Sequence, residues 1–594
     1  MAVLIPSREI INKQRVAPTQ GENTLLDFLQ KSLNDEYEIY YQPFLNGQNP
    51  DIVLMRKGGG VLIFEVKDWN LEHYYIDQHG DWRLRKNNNY IPSPFNQVDA
   101  YKKKMQQLNY RFMYENIINK NVYGVIKTAV YFHNTTHNEI LSFIENNRNN
   151  KRDKYIQIIG CDNLNKDFLF NLLHESYISR TSWIFSDELY KSIKRYLKPT
   201  FHQAEISQEV SYTPEQMQLI VSEQGKKQKI KGSAGSGKTL VLAKRAVNAH
   251  LRTNSPILIL TFNISLINYI HDQISKVKEN FAWENFYISN YHSFFKEYAE
   301  VYGLSIQEMA DYDNEDFFES RKDGLVKFEA IFIDEIQDYK QEWLNLVINY
   351  FSNDKTEIVV FGDEKQNIYN RELDKNKEIK ITGIPGAWNR SLKKSFRFKD
   401  KIGKLAIKFQ QEFLEQKYGT HEMLIEQQEF DFEPSIIEYH EINDENLIVD
   451  IVFSFIEKYD IHSNDVAILS DKINIVREVD FKIRDRTHED TMTTFETKEE
   501  YNSLVSMKLT SLKEELNKIR RAKKHGFWLN AGMLKISTIK SFKGWEIHTA
   551  FLVIDENSTG ELIYTGITRA RQNLIVINLG NLDYSDFFER NINK

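Results

Sequence analysis

The sequence predicts an α/β protein in which an N-terminal αβ domain precedes a lobe built on a parallel sheet. Three observations carry that expectation. Gly232-Ser233-Ala234-Gly235-Ser236-Gly237-Lys238-Thr239 fills every fixed place of the G-x-x-x-x-G-K-[ST] phosphate loop and leads into the helical run Leu240-Val241-Leu242-Ala243. Short apolar runs at 257–260, 330–333 and 358–361 have the length and composition of strands buried on both faces, as a parallel sheet requires. Far upstream, the runs at 51–55 and 61–67 flank Gly58-Gly59-Gly60 and read as a hairpin.

The bulk numbers set bounds. A chain of 594 residues has a length prior of about four domains. Apolar residues make up 41% and charged ones 27%, an ordinary folded composition. No window approaches the roughly 18 consecutive apolar residues of a membrane span, so no membrane partner is expected. The start, Met1-Ala2-Val3-Leu4-Ile5-Pro6, lacks the basic and long apolar regions of a signal peptide. With Cys161 as the single cysteine, neither a disulfide framework nor a cysteine zinc site can form within one chain, and the expected location is cytoplasmic. Net charge is −7 and the pI about 6.2, so a nucleic-acid face must be local. Candidate patches are Tyr101-Lys102-Lys103-Lys104, Lys393-Lys394 with Arg397 and Lys399, and Arg520-Arg521 with Lys523-Lys524; each alone is more often a solvated helix face.

Taken in order, Gly21-Glu22-Asn23-Thr24 opens a helical pattern with Leu25, Leu26, Phe28, Leu29 and Leu33 on its apolar side. A strand follows over 37–44, then the hairpin. Strand alternation puts Glu65 and Lys67 on one face. Asp51 and Glu65, on neighbouring strands, can converge on a divalent cation, and Mg²⁺ favours carboxylate oxygens. Phosphodiester cleavage needs that charge, and Lys67 can position or activate the attacking water. Strands are expected at 121–132 and 155–159 with a loop at 146–153 between them, and helices over 165–196. Residues 201–211 are expected to link this domain (1–200) to the rest.

Pro50-Asp51 with Glu65-Val66-Lys67 resembles the PD-(D/E)XK nuclease signature in the version of the nuclease-related (NERD) domain, which implies a restriction-endonuclease-like fold. The resemblance also implies an additional carboxylate at Glu22 and a Q-x-x-x-Y element at Gln97 and Tyr101. A fold does not by itself prove cleavage.

Downstream of the linker, Lys238 of the phosphate loop would reach the β- and γ-phosphates of ATP and Thr239 would offer its hydroxyl to Mg²⁺. The loop's glycines let N–H groups converge on phosphate at a helix N-terminus. Only the short Lys229-Ile230-Lys231 precedes it, with no apolar run close by. After the 330–333 run come Asp334-Glu335-Ile336-Gln337-Asp338, acidic residues at the catalytic end of a parallel sheet. There Asp334 would hold Mg²⁺ and Glu335 would orient or deprotonate water.

From 212 to 572 these elements resemble, in order, the motifs of UvrD-like superfamily 1 helicases, whose two lobes are RecA-like. That resemblance implies several roles. Gln216 would read adenine; Phe262, Tyr291 and His292 would contact a single strand, the rings offering faces to bases, although core packing is an equal fate for either aromatic. Gln366 would sense the γ-phosphate and Tyr369 would touch a base; Arg371 stands where the family often has a tryptophan. Phe396 would stack on adenine and Arg397 would touch the γ-phosphate. Glu546 would take the ribose, and Arg569 would be the arginine finger. The lobes are expected at 212–390, with a helical insert at about 269–327, and at 391–594, with a reduced insert at about 487–527.

The expectation is therefore an ATP-dependent DNA translocase or helicase, of 3′→5′ polarity by resemblance, fused to an Mg²⁺-dependent nuclease. DNA, as single strands or duplex ends, is the expected partner, and self-association is left open. The group resembled includes antiphage nuclease–helicase immunity proteins, which implies degradation of foreign DNA. The alternatives are a repair helicase whose nuclease fold only grips DNA, an RNA-directed enzyme, and a non-enzymatic nucleotide sensor.

Overall fold

The computed structural model describes all residues except 13–16, 44–48, 79, 108–123, 146–154, 177, 202–209, 278, 280, 367, 369–370, 372–376, 378, 393, 396–399, 419–423, 426–434, 488, 508–510 and 593–594. Among the described residues, three six-stranded sheets organise the chain.

The first sheet is built from β1 (Val3–Ile5), β2 (Tyr37–Tyr41), β3 (Ile52–Arg56) and β4 (Gly60–Lys67). After a small meander of β5 (Tyr74–Ile76), β6 (Trp82–Leu84) and β7 (Tyr90–Ile91), it is completed by β8 (Ile126–Phe132) and β9 (Gln157–Ile159), in the order β1-β2-β3-β4-β8-β9. β3 and β4 form the antiparallel hairpin, with Ile52 opposite Phe64, and β4 continues in parallel with β8. Both faces are buried. Ile52 and Leu54 pack with Leu25, Leu26 and Leu29 of α1 (Gln20–Ser32). Val53 and Met55 pack with Phe95, Val98 and Tyr101 of α2 (Pro94–Gln107). The expected strand over 37–44 ends at Tyr41, with Phe44 outside the described residues; that over 121–132 begins at Ile126, with 121–123 likewise outside. The expected loop at 146–153 also lies outside them. The helical stretch divides into Lys166–Glu175 and α3 (Asp187–Leu197).

The second sheet holds β10 (Lys227–Gly232), β11 (Ile257–Thr261), β12 (Phe286–Asn290), β13 (Ala330–Ile333), β14 (Glu357–Gly362) and β15 (Asn389–Leu392), all parallel, in the order β12-β11-β13-β14-β10-β15. β10 corrects the expectation that no good strand precedes the phosphate loop. It lies between β14 and β15 although, of its side chains, only Ile230 is fully buried. Hydrogen-bonded ladders on both edges hold it, and Lys229 lays its ammonium over the Trp388 ring at 5.9 Å, so lysines mask the apolar signal. The helix it feeds is α4 (Lys238–Thr253).

A short pair, β16 (Lys394–Ser395) with β17 (Leu424–Ile425), precedes the third sheet. That sheet contains β18 (Ile436–Glu441), β19 (Val466–Ser470), β20 (Met492–Thr493), β21 (Lys535–Thr538), β22 (Ile547–Asp555) and β23 (Ala570–Leu579), again all parallel, in the order β18-β23-β22-β19-β21-β20.

Both expected inserts are smaller than their sequence ranges. Within 269–327, β12 is the edge strand of the second sheet, and the 3₁₀ turns after Val301 pack back on that lobe's core through Phe318 and Leu325. Within 487–527, β20 joins the third sheet, which leaves two polar helices, Lys498–Ser506 and Leu512–His525. The division at 390/391 also shifts, because β15 stays in the second sheet as far as Leu392. No described helix is long and apolar enough to cross a membrane.

Candidate functional sites

The hairpin register places Asp51, one step beyond the Ile52–Phe64 pair, across from Glu65, so both carboxylates share a face. Asp51 Oδ2 accepts from the Val66 N–H at 2.6 Å. Burial, then the neighbouring Glu65 charge, push its carboxyl up to about 8. Glu65 is 3% exposed; its Oε1 takes the Lys67 ammonium at 2.5 Å, while Oε2 is buried without a hydrogen-bond partner. The Lys67 ammonium also stands 5.2 Å from the Trp69 ring. Tyr101 closes the site, its phenol raised by burial and by the Glu65 and Asp51 charges. Gln97, one turn earlier on α2, leaves its buried Oε1 unpartnered.

Glu22 is differently employed. Its carboxylate takes the Thr19 N–H at 2.6 Å in a capping box at the start of α1, the Tyr41 hydroxyl at 3.2 Å and the Gln42 amide at 3.0 Å. Its charge still acts on Asp51. Among the described residues no three His, Cys, Asp or Glu side chains converge to hold a metal unaided. Two carboxylates suit Mg²⁺ nonetheless, since that ion keeps several waters and takes ligands from substrate phosphate. The orphaned Glu65 oxygen and the raised Asp51 carboxyl are what a cation would satisfy.

The second site is a cavity of about 430 Å³ between the second and third sheets, lined by Gln216, Gly235, Lys238 and Thr239 from one side and Glu546 and Arg569 from the other. Gly237 adopts φ +84° at the turn into α4, where a Cβ would meet Gln216 Nε2 at 2.6 Å. Lys238 folds back on its loop, donating to the carbonyls of Gly232 at 2.8 Å and Ser233 at 3.3 Å. Thr239 donates its hydroxyl to Asp334 Oδ2 at 3.1 Å, the pairing a Mg²⁺ site needs. Burial, then Glu335, push Asp334 up to about 7. Glu335 is as deeply buried, but Lys543, Lys238 and Arg569 outweigh burial and hold it below the usual carboxylate range. Gln337 joins the Glu335 carboxylate and accepts from the Asp363 N–H at 3.1 Å, tying the ends of β13 and β14 together.

Gln366 donates to Asp363 Oδ2 at 2.8 Å and accepts from the Arg569 guanidinium at 3.1 Å. Arg569 is 1% exposed and also donates to the carbonyls of Trp545 at 3.1 Å and Thr565 at 2.9 Å. Glu546 accepts from the Tyr269 hydroxyl at 3.1 Å. Gln216 completes a capping box with Thr213 and donates to the Ser236 carbonyl at 3.1 Å, so its amide already braces the loop. Lys543 was missed as a functional residue. Its ammonium joins Asp338 Oδ2 and the Gln366 carbonyl, each at 2.6 Å, and bridges the lobes. Its place in Ser541-Phe542-Lys543-Gly544 was visible, but not what it reaches.

The strand-contacting residues divide. Tyr291 is 1% exposed, its ring stacked on Trp343 at 4.7 Å and its hydroxyl on the Tyr312 carbonyl, so the expectation that it offers a face to bases is corrected to core packing. Phe262 and His292 are half-buried against Trp343. Tyr369, Phe396 and Arg397 lie outside the described residues, as do Lys393 and Lys399 of the middle basic patch. The third patch is largely consumed within the chain: Arg520 pairs with Glu496, Lys523 with Glu500, and Arg521 reaches Ser293.

Two parallel sheets closing on one phosphate loop define a P-loop nucleotide-binding fold, and the separate carboxylate hairpin defines a second site on a different sheet. Residues 17–133 match the family model of the nuclease-related domain, and residues 217–372 that of an AAA domain. The chain thus carries a segment similar to the nuclease-related domain and, further on, one similar to an AAA domain. No curated protein matches it.

Proposed function

We propose that the chain is an ATP-driven DNA translocase, 3′→5′ in polarity, carrying an Mg²⁺-dependent nuclease that degrades foreign DNA. The observation that carries this reading is the convergence on one interlobe cavity of Lys238, Thr239 and Glu335 from one sheet with Arg569 from the other. Lys238 and the loop N–H groups bind phosphate, Glu335 orients or deprotonates water, and Arg569, held by Gln366, neutralises charge on the transferred phosphoryl. Mg²⁺ at Thr239 and Asp334 would supply charge stabilisation. At the hairpin, Asp51 and Glu65 would hold the same ion while Lys67 positions water.

The test incubates purified protein with labelled linear and circular DNA, with and without ATP and Mg²⁺, beside Asp51→Ala and Glu335→Gln. Asp51→Ala is expected to abolish cleavage and keep ATPase activity; Glu335→Gln is expected to bind ATP and cut turnover by about 10²-fold or more. Cleavage surviving in Asp51→Ala would sink the nuclease assignment. Unchanged turnover in Glu335→Gln would sink that of the base, and stronger stimulation by RNA than by DNA would redirect the substrate.

A further inference from the structure

The end of α3 and the residues after it, as far as Phe201 at the start of the expected linker, are built into the second lobe. Arg195 meets Glu489 at 3.4 Å, and the Tyr196 ring, 4% exposed, stands edge-on to His462 at 5.8 Å. Lys198 pairs with Asp460, and Thr200 is fully buried. The Phe201 N–H then donates to Asp465 Oδ2 at 2.7 Å. So fixed, the Phe201 side chain forms part of the wall of the cavity that Gln216, Lys238 and Glu546 also line. Its ring centroid is 4.7 Å from that of His548, and the Arg571 guanidinium lies 5.2 Å from it. Arg571 in turn approaches Glu546 at 3.8 Å.

An aromatic ring braced by a cation and an imidazole is misplaced in a cleft that binds phosphate alone, and well placed beside a flat heteroaromatic base. The phosphate loop and Arg569 account for the anionic end of a nucleotide. A π-face is what the base end requires, and stacking of a base on an aromatic side chain is worth a measurable loss when truncated. We propose that Phe201 is a base-contacting residue of the nucleotide site, so that a segment continuous with the nuclease-related domain supplies part of the motor's ATP pocket. The proposal rests on the reading that this cavity binds ATP. Phe201 falls outside both matched family segments, 17–133 and 217–372.

Calorimetric titration of the full chain with ATP and with inorganic tripolyphosphate, both with Mg²⁺, separates the possibilities. Phe201→Ala is expected to weaken ATP about tenfold and leave tripolyphosphate unchanged, while Phe201→Trp keeps both affinities. Equal ATP affinity in Phe201→Ala and the parent would overturn the proposal. So would a parallel loss of both ligands, which would mark a merely structural prop. Failure of the parent chain to bind ATP would overturn the ATP reading and this proposal with it, and would show before any substitution is made.

Discussion

Lys535 is a fully buried lysine on β21 that donates to the Asn464 carbonyl and, at 2.8 Å, to Asn464 Oδ1. Burial depresses its ammonium to about 7, with the Asp465 charge opposing. Between that value and the unfolded value of about 10.5, the unfolded chain binds a proton that the folded chain has released. Stability therefore rises with pH across that window and is flat below it. Lys535→Met removes this slope. Melting of parent and variant from pH 7 to 9 is expected to show the parent gaining on the variant, by at most about 1.4 kcal/mol per pH unit. A gap independent of pH would mean that Lys535 stays charged in the fold. Residues at this scale also mark what sequence could not show. Asp51 and Glu65 were legible because strand period and the Gly58 turn fix their pairing. Tyr291 was not, because an aromatic beside a strand end has the same local sequence whether it packs on Trp343 or faces a base. Glu22 was legible as an acidic position, but its capping box with Thr19 depends on backbone geometry.

At the scale of elements, the parallel strands β11, β13 and β14 declared themselves through unbroken apolar runs, since burial on both faces leaves no place for polar alternation. β10 hid because its ladders, not its side chains, hold it in place. The edge strands β12 and β20 were absorbed into supposed inserts for a related reason: an edge needs only one partner, and β20 spans two residues. The turn from β10 into α4 carries a sharper consequence. Gly237 occupies the left-handed region, where a side chain costs about 1–2 kcal/mol. Its Cβ would also press on the Gln216 amide that braces the Ser236 carbonyl. Gly237→Ala is expected to lower thermal stability by about that amount and ATPase activity by at least about tenfold, since the loop N–H groups lose their aim. Undiminished ATPase activity would show that the loop tolerates another backbone path.

Across the whole molecule, the lobes are in direct contact through side chains beside the phosphate-loop cavity. Lys543 spans to Asp338 and Gln366, Ser265 donates to the Ser541 carbonyl at 2.7 Å, and Asn263 reaches the same carbonyl at 2.9 Å. The first sheet is tied to the two lobes through α3, which packs on its core and whose end docks on the second lobe beside the cavity. An exposed ion pair such as Lys198–Asp460 contributes little on its own, but Arg195–Glu489 is about three-quarters covered on both sides, and burial pushes the Glu489 carboxyl up while Arg195 opposes. If this contact transmits nucleotide state to the nuclease, reversing one charge should uncouple two activities without abolishing either. Arg195→Glu is expected to retain ATPase activity and Mg²⁺-dependent cleavage while losing the dependence of cleavage rate on ATP. The swap Arg195→Glu with Glu489→Arg is expected to restore that dependence in part, a coupling that a double-mutant cycle isolates from general destabilisation. Cleavage that responds to ATP identically in all four proteins would mean that the two chemistries share a chain without sharing a signal.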